Sequence, residues 1–229
     1  MQRREFSLSA ASVAAAVLGI TGMPGVALAQ AQTYRSGSDY LTLDKPAPTE
    51  APAGQVEVVE FFSYNCPHCN EFEPMLEAWI KKLPKDVSFR RAPVAFIGDF
   101  EPKQRLYYAL EAMGKVEEFQ MKVFNAIHAQ RLKVVGDAAV IDWVEKQGIP
   151  KAKFVEMYNS FSVSTKVRKA TQLQNSYAVD GVPALGVNGR YITSGTQART
   201  LERSLQVTDY LIAQARQAMN AAAKAAKAK

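Results

Sequence analysis

Residues 56–69 read VEVVEFFSYNCPHC, and the fold turns on them. Val56 to Phe62 is a run of Val and Phe apolar enough to be a central strand of a sheet, with Glu60 as its oddity. Pro67 suits the first position of a helix, where its missing N–H costs nothing. From there Phe72, Leu76, Trp79 and Leu83 recur at four, three and four residues and give that helix an apolar stripe, with Pro74 expected to kink it. Val87 to Val94 reads as a second strand and completes a βαβ unit with a right-handed crossover. Cys66 and Cys69 therefore fall where a central strand hands over to a helix.

Outward from this unit the chain changes character twice. Upstream, residues 33–55 carry Pro46, Pro48, Pro52 and Gly54 after a short apolar alternation from Tyr40 to Leu43, which reads as an extended arm with a short edge strand. Downstream, residues 99–170 are helices only. Leu106, Leu110 and Met113 mark one, and Val116, Phe119, Val123 and Ile127 another. Val140 to Gln147 is a third, ended by Gly148, and Pro150 opens a fourth carrying Phe154, Met157 and Phe161. A fifth runs through Val163, Val167, Ala170 and Leu173. Sheet character returns at Pro183, where Ala184–Val187 and Arg190–Thr193 flank Asn188-Gly189, a strong signal for a two-residue hairpin turn. A last helix shows Leu201, Leu205, Thr208, Ile212, Ala215 and Met219, and the Ala/Lys-rich end at 221–229 reads as a frayed, solvated tail. The order predicts one α/β domain, residues 30–98 and 171–229, interrupted by an all-helical insertion at 99–170.

The composition fits that reading and removes several function classes. A chain of 229 residues, 48% hydrophobic and 22% charged, is an ordinary globular protein long enough to bury a core without staples. Two cysteines are too few for a disulfide scaffold. No stretch near 20 strongly apolar residues lies beyond the N-terminus, which excludes a multi-span membrane protein. The net charge of +6 is a mild excess spread along the chain, and no nucleic-acid partner is expected from it. Residues 1–29 read as a secretory signal: Arg3 and Arg4 lead an Ala/Val/Leu-rich stretch that ends in Ala27-Leu28-Ala29, small residues suited to cleavage. The alternative, a buried N-terminal helix, is opposed by Gly19, Gly22, Pro24 and Gly25. Arg3-Arg4-Glu5-Phe6 partly matches a twin-arginine signal, and a general export signal also wants basic residues there. Either route leads to a compartment where disulfides persist.

That compartment bears on how Cys66-Pro67-His68-Cys69 is read. A helix start offers unpaired N–H groups and the positive end of the macrodipole, so Cys66 is placed to be a thiolate. His68 adds a positive neighbour when protonated, and Cys69, one turn on and more buried, is the resolving thiol. A structural disulfide would close only a two-residue loop and stabilise little. Zinc needs about four ligands, and beyond the two cysteines the chain offers only His68 and His128. Haem attachment wants His after the second cysteine, where Asn70 stands. Redox chemistry is therefore the expectation, with no metal and no cofactor. Glu60 shares a strand face with Val58 and Phe62, so it points into apolar surroundings; burial would raise its carboxyl and make it a proton donor or acceptor near Cys69. The alternative for Glu60 is a rim glutamate in a salt bridge.

The stretch from Phe61 to Cys69 resembles the active site of the DsbA family, periplasmic thiol:disulfide interchange oxidases with a thioredoxin-like fold, and the resemblance covers nearly all of the chain after the signal. Gly181-Val182-Pro183 is similar to that family's cis-proline loop. The resemblance implies that Pro67 and His68 tune the cysteine pair towards oxidation, that Glu60 is the family's buried acid, that the Val182 backbone pairs with substrate, and that Pro183 faces the disulfide. It implies as partners exported, folding proteins with free cysteines and a quinone-linked membrane reoxidant of the DsbB type, with the protein itself a monomer. A reductase or isomerase of the same fold and a non-enzymatic chaperone or metal carrier are the competing classes. Substrate capture by a broad oxidase is expected to use backbone pairing and a shallow apolar surface.

Overall fold

The computed structural model describes residues 33–227; the signal segment read at 1–29 and its cleavage point lie outside the described residues. Five strands, β1 (Leu41–Thr42), β2 (Val56–Phe62), β3 (Val87–Pro93), β4 (Ala184–Val187) and β5 (Tyr191–Ser194), form one sheet in the order β1-β5-β4-β2-β3. β2 lies between a parallel neighbour, β3, and an antiparallel one, β4, so every residue of its seven is buried. β1 is the edge strand foreseen in the arm, paired with β5 through Leu41 opposite Ile192. At the hairpin Asn188 and Gly189 both have positive φ, 49° and 65°, as a tight two-residue turn between twisted strands requires. The first of those strands ends at Val187 as read; the second is Tyr191–Ser194, one residue later than expected.

Helix α1 (Pro67–Ile80) follows β2, and α2 (Phe100–Ala112), α3 (Val116–Phe124), a five-residue π-helix (Asn125–Ala129), α4 (Gly136–Lys146), α5 (Lys151–Tyr158) and α6 (Phe161–Ser176) all lie between β3 and β4. Short α7 (Gly195–Ala198) and long α8 (Leu201–Lys227) follow β5. Alternation along β2 sends Val56 and Val58 into one apolar cluster with Phe72 and Leu76 of α1 and Val207 and Leu211 of α8. Val59 and Phe61 point the other way, into a cluster with Leu106, Leu110, Phe154 and Tyr177. The all-helical stretch therefore has no separate core; it continues the core on one side of the sheet.

Four further details depart from the sequence reading. Phe161 does not end the fourth helix. Ser160 caps a new one there, its Oγ accepting the Val163 N–H at 3.2 Å, and Phe161 is left 81% exposed at the first position of α6. α6 then runs unbroken across residue 170, where the insertion was expected to end. The Ala/Lys-rich end is helical to Lys227, though exposed, because Ala and Lys are strong helix formers that sustain α8 without packing. α7, four residues capped by Ser194, is too short to leave a periodic pattern.

The sheet also carries two ion pairs made by buried carboxylates, one on each face. In the parallel register Glu60 stands opposite Arg91 and Val59 opposite Arg90. On one face Arg90 Nε donates to Glu57 at 3.1 Å; on the other Arg91 Nε donates to Glu60 at 2.9 Å. Buried carboxylates need such partners, and the adjacent arginines of β3 supply one to each side.

Candidate active site

Ser63, Tyr64 and Asn65 turn the chain from the end of β2 into α1. The Cys66 N–H closes that turn on the Ser63 carbonyl at 3.0 Å, which leaves Cys66 at the N-cap with extended backbone and Pro67 at the first helical position. Both cysteines are free thiols, Cys66 6% exposed and Cys69 fully buried one turn further on. Only Cys66 is open to an incoming group. Its Sγ lies 3.4 Å from the Val182 carbonyl, to which the thiol donates, and the Val182–Pro183 peptide is cis. Cys66, Cys69, Val182 and Pro183 are thus brought together from two distant parts of the sequence. His68 is largely exposed, its Nδ1 3.4 Å from Glu71.

The two sulfurs differ sharply in their electrostatics. Hydrogen bonding by the Cys69 thiol, then the N–H groups of Cys69 and His68 at the helix start and the His68 charge, pull Cys66 down to about 6 against burial. Burial pushes Cys69 well above the usual thiol range, and its bond to Cys66 and the nearby Glu60 act the same way. One sulfur is poised as a thiolate and the other as a thiol.

Glu60 is completely buried, as the alternation required, but its surroundings are not simply apolar, and its salt bridge is not at a rim. Arg91 reaches three carboxylates: Glu60 at 2.9 Å, Glu73 at 2.5 Å and Glu77 at 2.7 Å. Beyond Glu73 the hydrogen bonds continue. Gln120 Nε2 donates to Glu73 at 3.2 Å, and the Tyr64 hydroxyl donates to Gln120 Oε1 at 2.7 Å. One guanidinium, always charged, cannot balance three carboxylates, so the cluster holds a proton near neutral pH. Burial raises Glu60 with Arg91 pulling the other way, and it raises Glu73 with repulsion from Glu60 added. Glu60 Oε1 has no hydrogen-bond partner among the described residues and is an oxygen on which that proton can sit.

Sequence reasoning missed Arg91, Glu73 and Gln120. Two signals were available: consecutive arginines inside a strand, and Glu73 four residues after Cys69 on the same helix face. Gln120, on α3, left none. A groove of about 730 Å³ beside His68, Val182 and Pro183 is walled largely by polar residues such as Ser194, Gln197, Arg199 and Glu202. Exposed apolar side chains, Phe96 and Phe100, stand on either side of Gly98, whose carbonyl accepts a bond from the Asn65 side chain at 2.5 Å.

Comparison with known proteins bears on what this site does. A family model described as a DSBA-like thioredoxin domain matches residues 57–206. The thiol:disulfide interchange protein DsbA of Burkholderia cepacia is 44% identical over 190 residues, covering 83% of this chain and 90% of its own. That of Bordetella pertussis is 40% identical over 205 residues, covering 89% and 95%. The crystal structure of Pseudomonas aeruginosa DsbA superposes with a TM-score of 0.77 at 38% identity, covering 82% of this chain and 97% of that one. With a dithiol at the head of α1, a helical stretch set into a thioredoxin-like sheet and relatives matched along most of their length, the chain belongs to the DsbA family of thiol:disulfide oxidoreductases.

Proposed function

We propose that the protein is a dithiol oxidase that donates a Cys66–Cys69 disulfide to exported proteins as they fold in the periplasm. The observation that carries this is the opposite tuning of the two sulfurs, Cys66 lowered to about 6 and Cys69 raised. A substrate thiolate attacks Cys66 Sγ of the oxidised protein; the Cys66–Cys69 bond breaks, and its electron pair leaves on Cys69. That sulfur takes up a proton, because its thiolate is disfavoured by burial, and Glu60 is the acid placed to supply it. The substrate's second thiolate then attacks the substrate sulfur of the mixed disulfide and expels Cys66 as a thiolate. The substrate leaves two electrons poorer as a disulfide, and the protein is left as the dithiol seen here. A low Cys66 value makes that sulfur a good leaving group and stabilises the reduced product, which drives the reaction towards substrate oxidation.

In this reading Pro67 starts the helix whose N–H groups face Cys66, His68 adds positive charge, and the Val182 main chain pairs with an extended substrate beside Pro183. Of the described residues, 33–98 and 177–227 serve as the thioredoxin-like part and 99–176, to the end of α6, as the helical insertion. Residues 1–29 direct export, a quinone-linked membrane protein of the DsbB type reoxidises the dithiol, and the protein acts as a monomer. The experiment is trapping on a peptide with two cysteines. Cys66→Ser should abolish oxidation of that peptide, and Cys69→Ser, charged with an activated disulfide and given a one-cysteine version of the peptide that cannot resolve the bond, should leave the peptide bonded to Cys66. Retained oxidation by Cys66→Ser would remove the reading.

A further inference from the structure

The turn that delivers Cys66 is held at a point the cysteines themselves do not touch. Tyr64 and Asn65 are its two central residues, and the peptide between them is the unit whose orientation distinguishes one β-turn type from another. Both ends of that peptide are tied. Its N–H, on Asn65, donates to Ser63 Oγ at 3.2 Å. Its carbonyl, on Tyr64, lies 2.8 Å from His128 Nε2, and because a carbonyl only accepts, that nitrogen carries the proton.

His128 stands on the π-helix that continues α3, with its ring tilted at 31° against Phe124, 6.1 Å between centroids. Such widened turns are rare and concentrate at functional sites. Here the wider turn carries an imidazole to the active-site loop from the helical stretch. The same dipeptide makes two more bonds to that stretch and its approach: Tyr64 hydroxyl to Gln120, and Asn65 Nδ2 to the Gly98 carbonyl. The loop before the reactive sulfur is therefore clamped at both side chains and at its central peptide. His128 reaches the loop at the Tyr64 carbonyl, so it acts on Cys66 through the backbone.

We propose that His128 is a positioning residue for disulfide exchange: by fixing the Tyr64–Asn65 peptide it sets the direction in which Cys66 presents its sulfur to the Val182 main chain and to an incoming thiolate. The proposal rests on the oxidoreductase reading of the same site.

The test compares wild type with His128→Phe, which keeps a ring against Phe124 but loses the donor, and His128→Gln, which keeps an N–H donor. Two quantities are read: the rate of oxidation of a two-cysteine peptide, and the pH titration of the Cys66 thiolate by ultraviolet absorbance in the reduced protein. The expected result is a rate about tenfold lower in His128→Phe, as a small misplacement of a reacting group produces. Its Cys66 titration should move upward, and both properties should be restored in His128→Gln. If His128→Phe does not fold, His128→Ala is read in its place. Unchanged rate and titration in the donor-free variant overturn the proposal, as does an equal loss in His128→Gln. If wild type itself fails to oxidise the peptide, it is the underlying reading that fails, and the two failures are distinguished.

Discussion

At Glu60 a carboxyl group sits under a reactive dithiol with one oxygen paired to Arg91 and the other without a partner among the described residues. Its burial was legible from the two-residue period of β2, and so was the location of Cys66, Pro67, His68 and Cys69, because these are facts of local sequence. Its partners were not legible. Arg91 is 31 residues away and is brought opposite only by the parallel register of β3. A consequence follows for stability. Burial raises Glu60 and Glu73 above the range they have in the unfolded chain, so the folded state holds protons that the unfolded state releases. The stability this lends is complete below the ordinary carboxylate range and is lost as pH rises through the raised values. Glu60→Gln removes one of these groups and relieves the repulsion that helps raise the other. Urea unfolding of the oxidised protein, in which Cys66 does not titrate, should therefore lose less stability between about pH 5 and pH 8 in the variant than in wild type. An equal loss would show that the cluster does not hold its proton on these carboxylates.

Among the elements, those with a long periodic signal were legible, and those set by single contacts were not. β2, α1 and the Asn188-Gly189 hairpin emerge from pattern and turn chemistry, whereas the start of α6 depends on one serine cap, and α7 is too short for any period. The hairpin shows a further constraint invisible in sequence. Tyr177, at the end of α6, packs against Gly186 of β4, its hydroxyl accepting the Gly189 N–H at 2.8 Å. A Cβ built on Gly186 would come within 2.5 Å of the Tyr177 ring. That ring is buried and packed 5.1 Å from Phe61, so it has little room to move. Gly186→Ala should thus cost about 1–3 kcal/mol of folding stability, the usual penalty of overpacking, measured by denaturant titration. A neutral substitution would mean that the contact between α6 and the hairpin yields more easily than its packing implies.

Across the whole molecule, redox state and stability are linked through Cys66. Its lowered value means that the reduced folded protein is stabilised relative to its unfolded chain wherever the thiolate is present in one and not the other. That stabilisation is full above the ordinary thiol range and is lost as pH falls through about 6. The reduced form should accordingly melt above the oxidised form at pH 8, with the gap narrowing towards pH 5, in thermal scans with and without dithiothreitol. An oxidised form that melts higher at pH 8 would contradict a disulfide that the protein readily donates. The overall architecture was legible because strand and helix signals alternate in a recognisable order; the polar wall of the groove beside Val182 was not, since it is assembled from β5, α7 and the start of α8 around the cysteine loop. The most direct test of dithiol oxidation is the reduction potential of the Cys66–Cys69 pair, obtained by equilibrating the protein with glutathione and quantifying free thiols. A strong donor of disulfides requires a value well above about −180 mV, where disulfide isomerase lies, and a value near about −270 mV, that of thioredoxin, would make the protein a reductase instead.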